Sequence, residues 1–176
     1  EDLTHKAVFL DRDGTIIRDV GYLRNPSEVT LLPGSIEALS MMSAAGFMLI
    51  LVSNQSGIGR GLITQDQADR VHHRFEELLD GEGVRLSASY YCPHRPEDNC
   101  QCRKPSPGLL ERASMELDID METSVMVGDR ETDVDAGTGS GCRAILVDPT
   151  GIDRPRDFCT VPDLASAAEL VLKGWE

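Results

Sequence analysis

The chain has 176 residues, a formal net charge of −13 and 40% hydrophobic residues. That size and apolar content suit a single domain over residues 1–176 with its own core, and exclude a disordered chain. The acidic balance excludes a nucleic acid or an anionic membrane as partner, because both need a basic face. A small anionic substrate stays open, since a pocket needs only a few local cations. No run approaches the ~20 apolar residues of a membrane helix. The opening EDLTHKAVFLDRDG lacks the basic start and apolar middle of a secretory leader. Five cysteines, three of them clustered, do not make an even disulfide framework. A reducing, cytoplasmic setting is expected.

In chain order, KAVFL (6–10) is a short apolar run ending at the turn residues DRDGT. SIEALSMMSAAG (35–46) has helical apolar spacing, with Ser35 as N-cap and Gly46 as stop. FMLILVS (47–53) reads as a parallel strand buried on both faces. TQDQADRVHHRFEELLDG (64–81) reads as an amphipathic helix with Thr64 as N-cap. LSASYY (86–91) is a third strand. SPGLLERASMELD (106–118) is a helix with Pro107 in its first turn. SVMVGD (124–129) and RAILV (143–147) are further strands, separated by a Gly-interrupted helix at 132–141. DLASAAELVLKGW (163–175) closes the chain as a helix.

Strands alternating with helices predict an α/β fold, a mostly parallel sheet with helices on both faces. Ligands of such sheets bind outside the carboxyl ends of the strands. DRDGT, SNQSG and GDRETD each follow a strand, so three polar clusters converge on one edge. No internal repeat, low-complexity tract or large inserted domain is visible.

A D-x-D pair alone reads best as a turn with capping aspartates. Company changes that reading for Asp11 and Asp13. Two close carboxylates repel, and Asp129 and Asp133 follow another strand end. Such a set suits Mg²⁺, which takes carboxylate, water and phosphate oxygens. The Ser53 hydroxyl and the backbone N–H groups after it suit phosphate oxygens. GIGRG (57–61) does not fit the dinucleotide fingerprint and reads as a loop. Lys104 offers a point charge and Arg103 a planar fork. Together these parts describe phosphoryl transfer through an aspartyl phosphate. Asp11 is the nucleophile and Asp13 the general acid/base, while Mg²⁺, Ser53 and Lys104 stabilise charge.

Cys92, His94, Cys100 and Cys102 have the form C-x-H-x5-C-x-C, a closed Cys₃His set for structural Zn²⁺ in the loop 92–102. Four protein ligands leave no open position for catalysis. The metal would tie down a polar loop with little core of its own. It would also fix Arg103 and Lys104, which follow directly.

DRDGT, SNQSG, RKP and GDRETD in this order resemble the haloacid dehalogenase (HAD) superfamily of phosphatases. The resemblance implies a Rossmann-like fold and Mg²⁺ held by Asp11, the backbone carbonyl of Asp13, and Asp129. Asp133 would order the metal's surroundings from behind. With the Cys/His loop, residues 7–147 resemble a subfamily without a large cap domain, the D,D-heptose 1,7-bisphosphate phosphatases of histidinol-phosphatase-like type. That resemblance implies removal of the C7 phosphate of D-glycero-D-manno-heptose 1,7-bisphosphate, on the route to nucleotide-activated heptose for lipopolysaccharide or S-layer glycan. It implies substrate contacts from Asp19, Val20, Gly21 and Tyr22, from Ser53, Asn54, Gln55 and Ser56, and from Arg103, Lys104 and Arg130. The Cys/His loop is shorter than in some relatives.

Histidinol phosphate, or another sugar phosphate, is the nearest rival substrate. Arg60, Arg103 and Arg130 would serve a second phosphate and the chain's many acidic residues an amine; the segments DVGYL and SNQSGIGRG favour the heptose substrate. A non-catalytic zinc-bearing scaffold is the rival of another class, since fold alone does not fix function. Against it stand Asp11, Asp13, Ser53, Lys104 and Asp129 together. A monomer is expected. His72 and His73 read as exposed helix residues with no second metal ligand at a good spacing, Met41, Met42 and Met48 as core, Cys142 and Cys159 as small buried residues, and Trp175 as packing the tail or exposed at the end.

Overall fold

The computed structural model describes residues 4–152 and 159–174. Five strands appear where the apolar runs predict them: β1 (Ala7–Leu10), β2 (Met48–Asn54), β3 (Ala88–Cys92), β4 (Val125–Gly128) and β5 (Arg143–Val147). A sixth, β6 (Cys159–Val161), was not expected. The helices are α1 (Ser35–Ala44), α2 (Ser56–Gly59), α3 (Gln65–Gly81), α4 (Gly108–Leu117), α5 (Glu131–Gly139) and α6 (Leu164–Leu172).

All six strands are parallel, in the order β3-β2-β1-β4-β5-β6. The order reverses between β1 and β4, the position where open α/β sheets form a crevice. Alternate residues of each strand serve opposite faces. Val8, Leu10, Leu49, Leu51, Val125 and Val127 join Leu39, Phe75 and Ala168 of α1, α3 and α6 in one core layer. Phe9, Ile50, Val52 and Met126 join Leu110, Ala113 and Ala136 of α4 and α5 in the other. Burial on both faces explains why these strands read as unbroken apolar runs.

Helix α3 starts at the expected cap: Thr64 Oγ1 accepts from Gln67 N, and Gln67 Oε1 accepts from Thr64 N. Helix α1 departs from expectation. Its cap is Gly34, and the buried Ser35 hydroxyl instead donates to the Ile16 carbonyl at 2.9 Å. Pro107 caps α4 rather than entering its first turn. Met42 is core, but Met41 is 40% exposed, because only one side of α1 faces the sheet. His72 is more buried than an exposed helix face predicts, with 23% of its side chain accessible. Its Nδ1 meets the Tyr91 hydroxyl and its Nε2 lies 3.2 Å from Glu76. Trp175 lies outside the described residues.

Candidate active site

The register of β1 against β4 pairs Leu10 with Val127, so Asp11, one residue on, and Asp129, two residues on past Gly128, both emerge at the crevice. The backbone N–H of Asp11 extends the ladder by one bond, donating to the Val127 carbonyl at 3.1 Å. Carboxylate oxygens of Asp11, Asp129 and Asp133 lie within 4.8 Å of one another. Two glycines make room for them. Gly14 has φ +85°, and a Cβ there would stand 2.3 Å from Asp129 Oδ2; at Gly128 it would stand 2.2 Å from Asp133 Oδ2. Thr15 Oγ1 donates to Asp129 Oδ1 at 3.3 Å.

Lys104 reaches this cluster from the segment after β3, with 2% of its side chain exposed. Its three ammonium protons match three acceptors: Asp11 Oδ1 at 2.8 Å, Asp133 Oδ1 at 2.7 Å and the Val52 carbonyl at 2.7 Å. Asp133 is equally committed, since its Oδ2 accepts from the Arg130 N–H at 3.0 Å. Asn54 at the end of β2 fixes the Lys104 backbone, donating to its carbonyl and accepting from its N–H, both at 3.0 Å.

One ammonium does not neutralise three carboxylates. Burial, then repulsion from Asp11 and Asp133, pushes the Asp129 carboxyl up to about 8. Burial and Asp11 push Asp133 up to about 6 against the pull of Lys104. Burial lowers the Lys104 pKa, but Asp11 and Asp133 outweigh it and hold the amine above its ordinary value. A cluster of hard oxygen donors short of positive charge fits a divalent cation such as Mg²⁺.

Asp13 stands on the other side of the loop. Burial raises its pKa, opposed by Arg12 and Gln55. Arg12 Nη2 donates to Asp13 Oδ2 at 3.1 Å and Arg12 Nε to Oδ1 at 3.4 Å. Gln55 Nε2 donates to both Asp13 Oδ2 and Ser53 Oγ at 2.8 Å.

The crevice opens into a cavity of about 490 Å³, a size suited to a small metabolite. Asp11, Asp13, Lys104, Arg103 and Arg130 line it, and Arg103 Nη1 also donates to the His94 carbonyl at 3.4 Å. Arg130 Nη2 pairs with Asp19 Oδ2 at 3.4 Å, and Asp19 Oδ1 accepts from the Gly21 N–H at 2.9 Å. Tyr22 lines the same cavity with 49% of its surface exposed.

Beside it, β3 ends in the buried Cys92, and the loop that follows returns Cys100 and Cys102 to it. Cys92 Sγ lies 3.0 Å from Cys102 Sγ and 3.6 Å from Cys100 Sγ. His94 Nδ1 lies 3.4 Å from Cys92 Sγ and 3.2 Å from Cys102 Sγ. A tetrahedron of ~2.3 Å zinc–sulfur bonds has edges of about 3.8 Å. Three sulfurs and one imidazole nitrogen converging on one point fit that ion.

The comparisons with known proteins agree with this geometry. Residues 101–171 match the family described as HAD-hydrolase-like. The chain is 44% identical over 152 residues to the D-glycero-β-D-manno-heptose-1,7-bisphosphate 7-phosphatase of Pasteurella multocida, covering 83% of each. It is 36% identical over 170 residues to that of Helicobacter pylori, covering 96% of this chain and 98% of the relative. The chain belongs to the heptose-1,7-bisphosphate 7-phosphatase family of HAD-like hydrolases. Its fold matches the crystal structure of D,D-heptose 1,7-bisphosphate phosphatase from B. bronchiseptica complexed with magnesium and phosphate. The TM-score is 0.87 at 32% identity, over 96% of this chain and 99% of that one. As a member of this family the chain is a phosphoric monoester hydrolase.

Most residues expected at the substrate site of such an enzyme do share one cavity here: Asp19, Gly21, Tyr22, Asn54, Gln55, Ser56, Arg103, Lys104 and Arg130. Two expected contacts lie elsewhere. Val20 faces a separate surface depression with Arg24 and Leu62. Ser53 is 1% exposed and sits behind the Gln55 amide. Arg60 does not line the cavity; it lies 3.9 Å from Glu97. Arg12 and Thr15, which bond Asp13 and Asp129, were not expected from the sequence. Arg12 lies between the two aspartates singled out, and its type was the only available signal.

Proposed function

We propose that this chain hydrolyses the C7 phosphate ester of D-glycero-D-manno-heptose 1,7-bisphosphate, with Asp11 as nucleophile and Asp13 as general acid and base. The single observation that carries the reading is Asp11. It is a buried carboxylate oriented by Lys104, in a cavity that Arg103 and Arg130 also line. Relatives that share this fold and sequence are named for that reaction.

Lys104 and its backbone clamp hold Asp11 Oδ1 in place, so the nucleophile is aimed before substrate arrives. An Asp11 oxygen attacks phosphorus, and the P–O bond to C7 breaks. The departing alkoxide takes a proton from Asp13 and leaves as an alcohol. Water then attacks the aspartyl phosphate and gives its proton to Asp13. The Asp11–phosphorus bond breaks, inorganic phosphate departs, and both carboxyl groups regain their starting states. Asp11, Asp129 and the Asp13 carbonyl would hold Mg²⁺, with Asp133 behind them. That ion supplies charge neutralisation for the phosphoryl oxygens. Zn²⁺ would close Cys92, His94, Cys100 and Cys102 as a structural site.

The anomeric phosphate remains on the product, and Arg103 and Arg130 are its partners. Arg103 and Arg130 line the cavity from the segments after β3 and β4, and two guanidinium groups there suit a second phosphate better than the amine of a histidinol-like substrate. The product is a sugar 1-phosphate, the form that activation to a nucleotide sugar requires, and we place the reaction there. No helix among the described residues is long and apolar enough to cross a membrane.

Phosphate release with Mg²⁺ from both heptose 1,7-bisphosphate anomers and from histidinol phosphate, under identical conditions, tests the reading. We expect a preference in kcat/KM of at least about tenfold for one heptose anomer, a difference of ~1.4 kcal/mol in the barrier. A preference for histidinol phosphate would reject the substrate and keep the chemistry. No release from any of them would reject both.

A further inference from the structure

Arg12 stands between Asp11 and Asp13 in sequence but lines a second cavity rather than the one they share. Its side chain is 2% exposed. A buried guanidinium needs a counter-charge, and Asp13 supplies it through the two bonds described above. The far side of Arg12 is backed by Tyr91, whose ring centroid lies 5.8 Å from Cζ. The Tyr91 hydroxyl is in turn tied to His72 on α3. The Arg12 carbonyl accepts from the N–H groups of Thr15, Ile16 and Ile17, which fixes the backbone of the loop.

We infer that Arg12 is a positioning residue, holding the Asp13 carboxylate in the plane from which it gives and recovers the proton. The inference rests on the reading of Asp13 as general acid and base. A carboxylate turns easily about its terminal torsion, which has a broad two-fold profile. The planar fork of an arginine fixes both oxygens at once; a lysine would fix neither plane. Proton transfer demands a heavy-atom approach of about 2.6–3.2 Å, so a rotated carboxylate misses it. The bonds also distinguish the two oxygens. Oδ2 accepts from Arg12 Nη2 and Gln55 Nε2, which fills both lone pairs. Oδ1 accepts from Arg12 Nε alone and keeps one lone pair. Oδ1 is therefore the oxygen that carries the proton.

The test compares two esters. Heptose 1,7-bisphosphate leaves an alkoxide that needs the proton; p-nitrophenyl phosphate leaves a stable phenolate that does not. Arg12→Met should lower kcat/KM on the heptose ester roughly 100-fold and on the aryl ester less than about fivefold. Arg12→Lys should fall between. Arg12→Met combined with Asp13→Asn should be no worse on the heptose ester than Asp13→Asn alone, because two residues acting through one proton do not add. A cavity of about 310 Å³ lined by Gln55, His72, Ser89 and Tyr91 borders Arg12, so methionine enters without overpacking. Should Arg12→Met not fold, Arg12→Lys carries the same comparison. Equal losses on the two esters, or losses that multiply with Asp13→Asn, would overturn the inference and leave the reading of Asp13 intact. Wild-type rates for Asp13→Asn on both esters would overturn the two together.

Discussion

The side-chain amide of Asn54 closes on the backbone of Lys104 from both sides, one bond to its carbonyl and one to its N–H, each 3.0 Å. The two residues are fifty apart in sequence. The clamp joins the end of β2 to the segment leaving the Cys/His loop. It sets where the ammonium meets Asp11.

Asn54→Leu keeps the volume and removes both bonds. Each backbone group left unpaired costs ~1–3 kcal/mol. A displacement of the ammonium by 1 Å costs about 100-fold in rate. We expect a lower Tm and a fall in kcat/KM of roughly 10- to 100-fold, with zinc content unchanged. Asn54→Asp keeps the acceptor for the Lys104 N–H and should lose less. Thermal melts, steady-state kinetics and metal analysis on the three proteins check this. Wild-type kcat/KM in Asn54→Leu would remove the clamp from the account.

Gly14 is fixed by its neighbour across the sheet. Its φ of +85° is left-handed, and a methyl group there would meet Asp129 Oδ2 at 2.3 Å. Alanine must therefore strain the loop, displace Asp129, or both. Gly14→Ala should cost about 1–3 kcal/mol of stability and weaken Mg²⁺ binding more than tenfold. Calorimetric titration with Mg²⁺ measures the second effect. Unchanged affinity would show that Asp129 is free to move or is not a ligand.

The features that were legible in the sequence share a cause. Strands β1, β2 and β4 are buried on both faces, so their apolar runs stop where the chemistry starts. The placement of Asp11 and Asp129 together could be read from those junctions taken jointly, whereas Ser53, read from the same kind of junction, is buried outside the cavity. The four Cys/His donors were legible because donor type and spacing sit within one loop. What was not legible depends on contacts between distant residues. Nothing in NQSG says that Asn54 binds a backbone while Gln55 bonds Asp13 and Ser53. Helix α2 is a single turn containing two glycines, and β6 spans three residues, so neither has a period to detect. The cap of α1 moved to Gly34 because the Ser35 hydroxyl serves Ile16 instead.

The Cys/His loop should behave as a structural unit with an effect on substrate. Its own turn, Pro96–Asp98, contains no buried residue, and of the four candidate ligands the three cysteines pack against the core while His94 is exposed. We expect one zinc per chain. Cys102→Ser should lose it and lower Tm by roughly 5 °C or more, since 1 kcal/mol moves a domain of this size about 2–4 °C. KM should rise as Arg103 and Lys104 lose their anchor, while residual turnover persists. Metal analysis, a thermal melt and steady-state kinetics decide it. A zinc-free protein with wild-type Tm and KM would make the cluster incidental.

The acid cluster also predicts a pH dependence with a definite sign. In the metal-free fold the Asp129 carboxyl is raised from 3.8 to about 8, first by burial and then by Asp11 and Asp133. An acid whose folded pKa is raised contributes stability at low pH that is lost as pH rises toward and through the folded value. Metal-free protein should therefore lose stability between pH 7 and 8.5. Mg²⁺ must displace the proton, so its apparent affinity should rise up to about tenfold per pH unit below pH 8, then level off. His72 has the opposite sign: burial lowers its pKa, so its contribution is lost as pH falls below ~6.5. Measuring from pH 7 upward separates the two. Asp129→Asn should flatten the Tm profile of the metal-free protein over that window. It should also abolish the stabilisation that Mg²⁺ gives the wild type. Parallel metal-free profiles for wild type and Asp129→Asn would show that another group carries the charge strain.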